Sequence, residues 1–171
     1  MAAPAHRDAA AALTGIVARE FRRRLLAEML PRMRTCCDLL GDERVWQRPA
    51  PNCNSVGNLL LHLAGNTTQW ILVTFGEFED RRTREAEFAA DGGGTARELC
   101  ERLAAVWTRA CAVVDALPPA ELLRERTIQG RYLETGLAAI LHVLEHSSGH
   151  AGQIYAWTKQ VTGRDLRFYD L

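Results

Sequence analysis

A chain of 171 residues fits one domain with room for a real core, and 47% hydrophobic with 25% charged residues is ordinary globular composition. Acidic and basic residues balance at 21 each, which removes the bulk electrostatic case for nucleic acid or another polyanion as partner. No stretch approaches the roughly 18 consecutive apolar residues of a membrane span, and five cysteines without a C-x-x-C pair read as the reduced thiols of a cytoplasmic protein.

The alanine-rich start, MAAPAHRDAAAALTG, lacks the basic and apolar regions of a signal peptide. Residues 1–12 are expected to be a flexible extension of the single domain 1–171. From about Thr14 to Leu40, Val17, Phe21, Leu25, Met29 and Met33 recur every fourth residue, one face of an amphipathic helix. Pro31 inside this run predicts a kink. Gly41, Pro49 and Pro51 mark a loop, after which Asn54 or Ser55 is placed to cap a second helix. That helix, Val56 to about Phe75, is apolar nearly all round and so is expected to be buried. Residues 76–93 are charged and end in glycines, the signature of a long exposed connection with at most a helical turn.

A third helix is predicted from the Thr95 cap to about Leu117, closed by Pro118 and Pro119. Residues 124–134 alternate loosely about Gly130 and suit an extended segment or a small hairpin. A fourth helix begins near Thr135 and reaches Val161, with Gly163 as its stop signal. Four long helices in a chain of this size predict an all-α fold, a four-helix bundle.

The fourth helix carries His142, His146 and His150, three of the five histidines. Side chains four apart on a helix are neighbours, so two such imidazoles can turn a ring nitrogen to one metal ion. The middle of the motif is H-S-S-G-H, without the glutamate that serves as base in H-E-x-x-H proteases. The stripe spans about 12 Å at 1.5 Å per residue, so one end histidine must do something other than ligate. A further ligand has to come from elsewhere. His62 lies in the apolar NLLLHLAGN and needs its ring nitrogens satisfied there, by a metal or by a core hydrogen bond; both readings stand on the residues alone. Asn58 and Asn66 lie one turn either side of His62, and Gln153 three residues after His150; all three are placed to tune or line such a site. Gly149 and Gly152 beside His150 suit either close helix packing or space for a ligand.

NSVGNLLLHLAGNTTQW followed by HVLEHSSGHAGQIYAWTKQVTGRDLRFYD resembles the DinB/YfiT-like metalloenzymes, in order and spacing, over nearly the whole chain. It is most similar to a branch of unassigned function with a similar TG-x-DL-x-FY tail. The resemblance implies a DinB/YfiT-like four-helix bundle, commonly a homodimer, holding a divalent metal through His62, His146 and His150. His142 matches a position outside the ligand triad and is expected, with Asn58, Asn66 and Gln153, to tune or line the site. The family often carries an aromatic or histidine just before the last ligand and an arginine just after it; Gly149 and Ala151 depart from that pattern. Characterised relatives include thiol-dependent transferases and isomerases. The resemblance therefore implies a transferase acting on a small-molecule electrophile with a low-molecular-weight thiol, with zinc or nickel as the first choice of metal and iron or another ion behind them. The rival readings are a metal-dependent hydrolase and a bundle that binds a metal or small ligand without catalysis. No nucleic acid and no membrane is expected as partner.

Overall fold

The protein is described here by a computed structural model covering residues 4–76 and 78–168. It is mostly helical. The first helix, α1, spans Pro4–Arg22. It thus begins at Pro4 and not near Thr14, so the described part of the expected N-terminal extension is helical. A π-helical stretch, Arg23–Met29, joins α1 to α2, Leu30–Val45. The wide winding has a local cause. Pro31 has no N–H to give and its ring crowds the preceding turn. The helix loosens ahead of it, and Leu30 N–H reaches back to Leu25 O. Gly41 (φ 66°, ψ 179°) then breaks α2, and one further turn carries the chain to Trp46.

Ser55, not Asn54, caps α3 (Val56–Thr67), in a capping box completed by Asn58. A second π-helical stretch, Thr68–Val73, follows directly. The connection after it contains a short helix, α4 (Arg84–Ala89). Thr95 and Glu98 form a second capping box at the start of α5 (Ala96–Asp115). The Pro119–Leu123 turn, α6, leads into an antiparallel pair, β1 (Glu125–Ile128) and β2 (Tyr132–Thr135), in register Ile128↔Tyr132 and Glu125↔Thr135. The hairpin reading of this segment holds. Gln129 and Gly130 both take positive φ at its tip, at 56° and 63°, and Arg131 N–H closes the turn onto Ile128 O. The last helix, α7 (Gly136–Thr162), is capped by Thr135 and stopped by Gly163 in the left-handed region. Gly136 is needed where it stands, because a side chain there would run into the Glu121 carbonyl of α6.

The core lies where α2 and α3 each pack against α5 and α7. Phe21, Leu25, Met33, Leu60, Leu63, Leu103, Trp107, Ile140 and Ile154 are fully buried in it. Trp107 meets its one polar need by donating Nε1–H to Thr67 Oγ1 at 3.1 Å. Among the described residues no helix is long and apolar enough to cross a membrane. What matters for the site is that α3 and α7 lie against each other, bringing His62 to the histidine stripe.

Candidate metal centre

His62, His146 and His150 each offer one nitrogen, and these three atoms lie within 4.8 Å of one another. His62 Nε2 faces His146 Nε2 at 3.1 Å. Two nitrogens bound to one tetrahedral zinc at about 2.0–2.1 Å would sit about 3.3–3.4 Å apart. The separation found is therefore close to that of a shared ligand pair. The rings meet edge to face, His150 against His146 at 77° and against His62 at 87°. The donor set is compatible with a metal ion.

Helix geometry selects the members. His62 is 5% exposed on α3, while His146 and His150 are half-buried on α7, so one side of the cluster is reachable from solvent. His150 donates Nδ1–H to Gln153 Oε1 at 2.8 Å, which leaves its Nε2 lone pair for the cluster. His146 Nδ1 is buried and has no hydrogen-bond partner among the described residues. Burial and the neighbouring histidines push the His146 pKa down to about 3, and burial also lowers that of His150. Neutral imidazole is the form that ligates a metal.

His142, one turn earlier, is directed elsewhere. It stacks on Trp70 at 3.6 Å between centroids, and its Nε2 lies 3.2 Å from Asn66 Nδ2, which donates to it. Asn66 thus reaches His142. Asn58 directs its hydrogen bonds elsewhere. It is fully buried; its Oδ1 accepts from Ser55, and its Nδ2 donates to the carbonyls of Glu87 (2.9 Å) and Ala90 (2.7 Å). Gly149 and Gly152 face open space among the described residues of this chain: a Cβ at either would meet nothing within 4 Å.

Two residues that sequence reasoning left out stand at the site. The 76–93 connection does not simply lie exposed: the side chains of Arg82 and Glu87 are only 6% and 12% accessible. Glu87 Oε2 lies 3.0 Å from His62 Nδ1, and Arg82 grips the same carboxylate through Nε (2.7 Å) and Nη2 (2.8 Å). Burial raises the Glu87 pKa, but the hydrogen bonds from Arg82 and His62 and the Arg82 charge outweigh it, so the carboxyl is held below its usual range and stays ionised. One signal was available. A histidine in NLLLHLAGN needs a partner for its second nitrogen, and charged residues in the connection were candidates to supply it.

Mostly helical architecture with three imidazoles gathered from two helices defines a class of protein equipped with a metal-type donor set. The chain belongs to the DinB superfamily, whose family model matches residues 25–154. A DinB-like protein from Bacillus cereus has a similar fold, with a TM-score of 0.61 at 16% identity over 82% of this chain and 89% of that one. No curated protein matches.

Proposed function

We propose that the protein is a divalent-metal enzyme that joins a low-molecular-weight thiol to a small electrophile, with His62, His146 and His150 as the metal ligands. The observation that carries the reading is the convergence of three imidazole nitrogens within 4.8 Å, from helices far apart in sequence. The helical rods 4–45, 56–73, α5 and α7 are read as the four-helix bundle of the superfamily, with the site between its second and last members. A divalent ion held by three neutral imidazoles keeps its full charge and moves the pKa of a coordinated thiol or water towards neutrality.

The chain's own residues make the rest of the case. Gln153 holds His150 and also lines a hollow of about 400 Å³ with Asn52, Cys53, Asn54, Trp157 and Gln160, so amide donors and acceptors stand beside the cluster for a small polar ligand. His142, Trp70 and Asn66 form a flat, hydrogen-bonded wall one turn away. Thiol transfer is favoured over hydrolysis because hydrolysis needs a general base near the ligands. The carboxylate that reaches His62 is committed to Arg82, and H-S-S-G-H supplies none.

The test is elemental analysis of purified wild type beside His62→Ala and His146→Ala, followed by thiol-conjugation assays on a panel of electrophiles. Wild type is expected to carry close to one divalent ion per chain and the variants, folded by circular dichroism, far less. Equal metal content in all three would remove the ligand assignment. Metal-dependent ester or amide hydrolysis without thiol consumption would replace transfer by hydrolysis.

A further inference from the structure

We propose that Glu87 is the positioning residue of the histidine cluster: by accepting the Nδ1–H of His62 it fixes the tautomer and ring rotation that aim the His62 Nε2 lone pair at His146. The inference rests on the metal-site reading above and adds a residue to it that neither the histidine spacing nor the family pattern supplies.

The contacts at His62 Nδ1 discriminate between its two tautomers. Glu87 Oε2 and Arg82 Nη2 both lie 3.0 Å from His62 Nδ1. If Nδ1 were bare, Arg82 could donate to it, but Glu87 would then set a carboxylate oxygen against a lone pair. The His62 proton would sit on Nε2, pointing into the cluster. With the proton on Nδ1, the carboxylate receives it, the hydrogens of Arg82 serve Glu87, and Nε2 is left as an acceptor 3.1 Å from His146 Nε2. This arrangement turns the 3.0 Å contact between Glu87 Oε2 and His62 Nδ1 into a hydrogen bond and clears the nitrogen that faces the other histidines.

The fold also builds a socket for this one carboxylate. Arg82 binds both its oxygens, and Arg82 is itself held through Nη1 to Gln69 Oε1 at 2.8 Å. Gln69 in turn donates to Asp80 Oδ2 at 2.7 Å. Asn58, one turn before His62 on α3, fastens the backbone at Glu87 and Ala90. Gly65, three residues after His62, faces the pair. A Cβ at that position would overlap the Glu87 carboxylate and come within 2.7 Å of Arg82 Nε. The glycine is the gap through which a charged side chain from the connecting segment reaches a histidine in the core. The contrast with His150 is useful. Its Nδ1–H is held by the exposed, neutral Gln153, whereas His62 is held by a sheltered anion with its own counter-ion.

The experiment reads tautomers and metal binding separately. Imidazole ¹⁵N shifts of His62 are measured in metal-free wild type, Glu87→Gln and Gly65→Ala, with circular dichroism and thermal melts to confirm folding. Zinc is then titrated into each. Wild type is expected to hold His62 as the Nδ1–H form, against the Nε2–H preference of an unconstrained histidine side chain. Both variants are expected to lose that bias and to bind zinc about 10–100-fold more weakly, the range for loss of a carboxylate behind a ligating histidine. Gly65→Ala displaces the carboxylate without removing its charge, so agreement between the variants assigns the effect to placement. An Nε2–H tautomer in wild type, or wild-type tautomer and zinc affinity in Glu87→Gln, would overturn the proposal. The wild-type tautomer needs neither a variant nor a metal. If wild type binds no zinc but holds the Nδ1–H form, the ligand reading fails while the positioning of His62 by Glu87 stands.

Discussion

The protein gathers chemically capable side chains in two places, and their surroundings differ. At the α3–α7 contact, His146 and His150 are half-open to solvent, and each of His62 and His150 has a polar partner on its outer nitrogen. At the α2–α5 contact, Cys37 and Cys100 bring their sulfurs to 2.8 Å of each other but are 1% and 2% exposed. The thiols lie among apolar residues. The contact with Cys100, together with burial, pushes the Cys37 thiol far above its usual range, and burial raises Cys36 and Cys111 to about 11. The same contact lowers the Cys100 thiol, so what keeps the pair from reacting is that reagents cannot reach it. In the histidines burial acts the other way, because it favours the neutral ring that ligates. Burial shuts one cluster off from reagents and prepares the other to ligate.

The widest gap should appear in alkylation. Iodoacetamide is expected to label half-buried Cys53 at least about 10³-fold faster than Cys37 or Cys100, whose labelling waits on opening of the core. Peptide mapping over time measures this, and equal rates would mean that the α2–α5 contact is loose. Next in size is metal affinity. His146→Ala should weaken zinc binding by more than about 100-fold, beyond the loss of an outer partner, while Cys37→Ala and Cys100→Ala leave it unchanged in calorimetry. A cysteine variant that loses zinc would merge the two regions into one site.

A smaller effect is expected with pH. The folded His146 pKa is about 3, against about 6.5 when unfolded, so between these values the unfolded chain binds the extra proton. The stability that depends on neutral His146 is complete above pH 6.5 and lost as pH falls towards 3. The metal-free protein should melt at least about 2–4 °C lower at pH 5 than at pH 7, and His146→Asn should flatten that slope. Glu87 works in the same direction, since its lowered pKa contributes stability that acid removes. The smallest effect concerns the frame of the histidine helix. Thr135 Oγ1 accepts from Ala138 N–H at 3.2 Å, and Thr135→Ala should cost about 1 kcal/mol in urea unfolding.

Much of the frame was legible because it follows from local rules. The four-residue recurrence from Val17 to Met33, the Thr95 cap and the Thr135–Gly163 limits of α7 are decided by side chains near in sequence. The histidine trio was half legible. The i, i+4 pair is a helical fact, but His62 could be told from a core histidine only by family resemblance, since nothing local records which helix it faces. Arg82 and Glu87 could not be singled out from the other charged residues of the connection for a related reason. A charged segment reads as solvated unless a buried partner is known, and their partner lies 20 and 25 residues away. Bends followed the same divide: Pro31 announced the first, whereas nothing in TQWILV announced the π-helical stretch after α3.

The most direct test of the central claim is anomalous diffraction at the zinc edge from a crystal grown with zinc. The account predicts one strong peak about 2.0–2.2 Å from the Nε2 atoms of His62, His146 and His150, with His142 remaining on Trp70. A peak on other residues, or none at this cluster at full zinc loading, would contradict it.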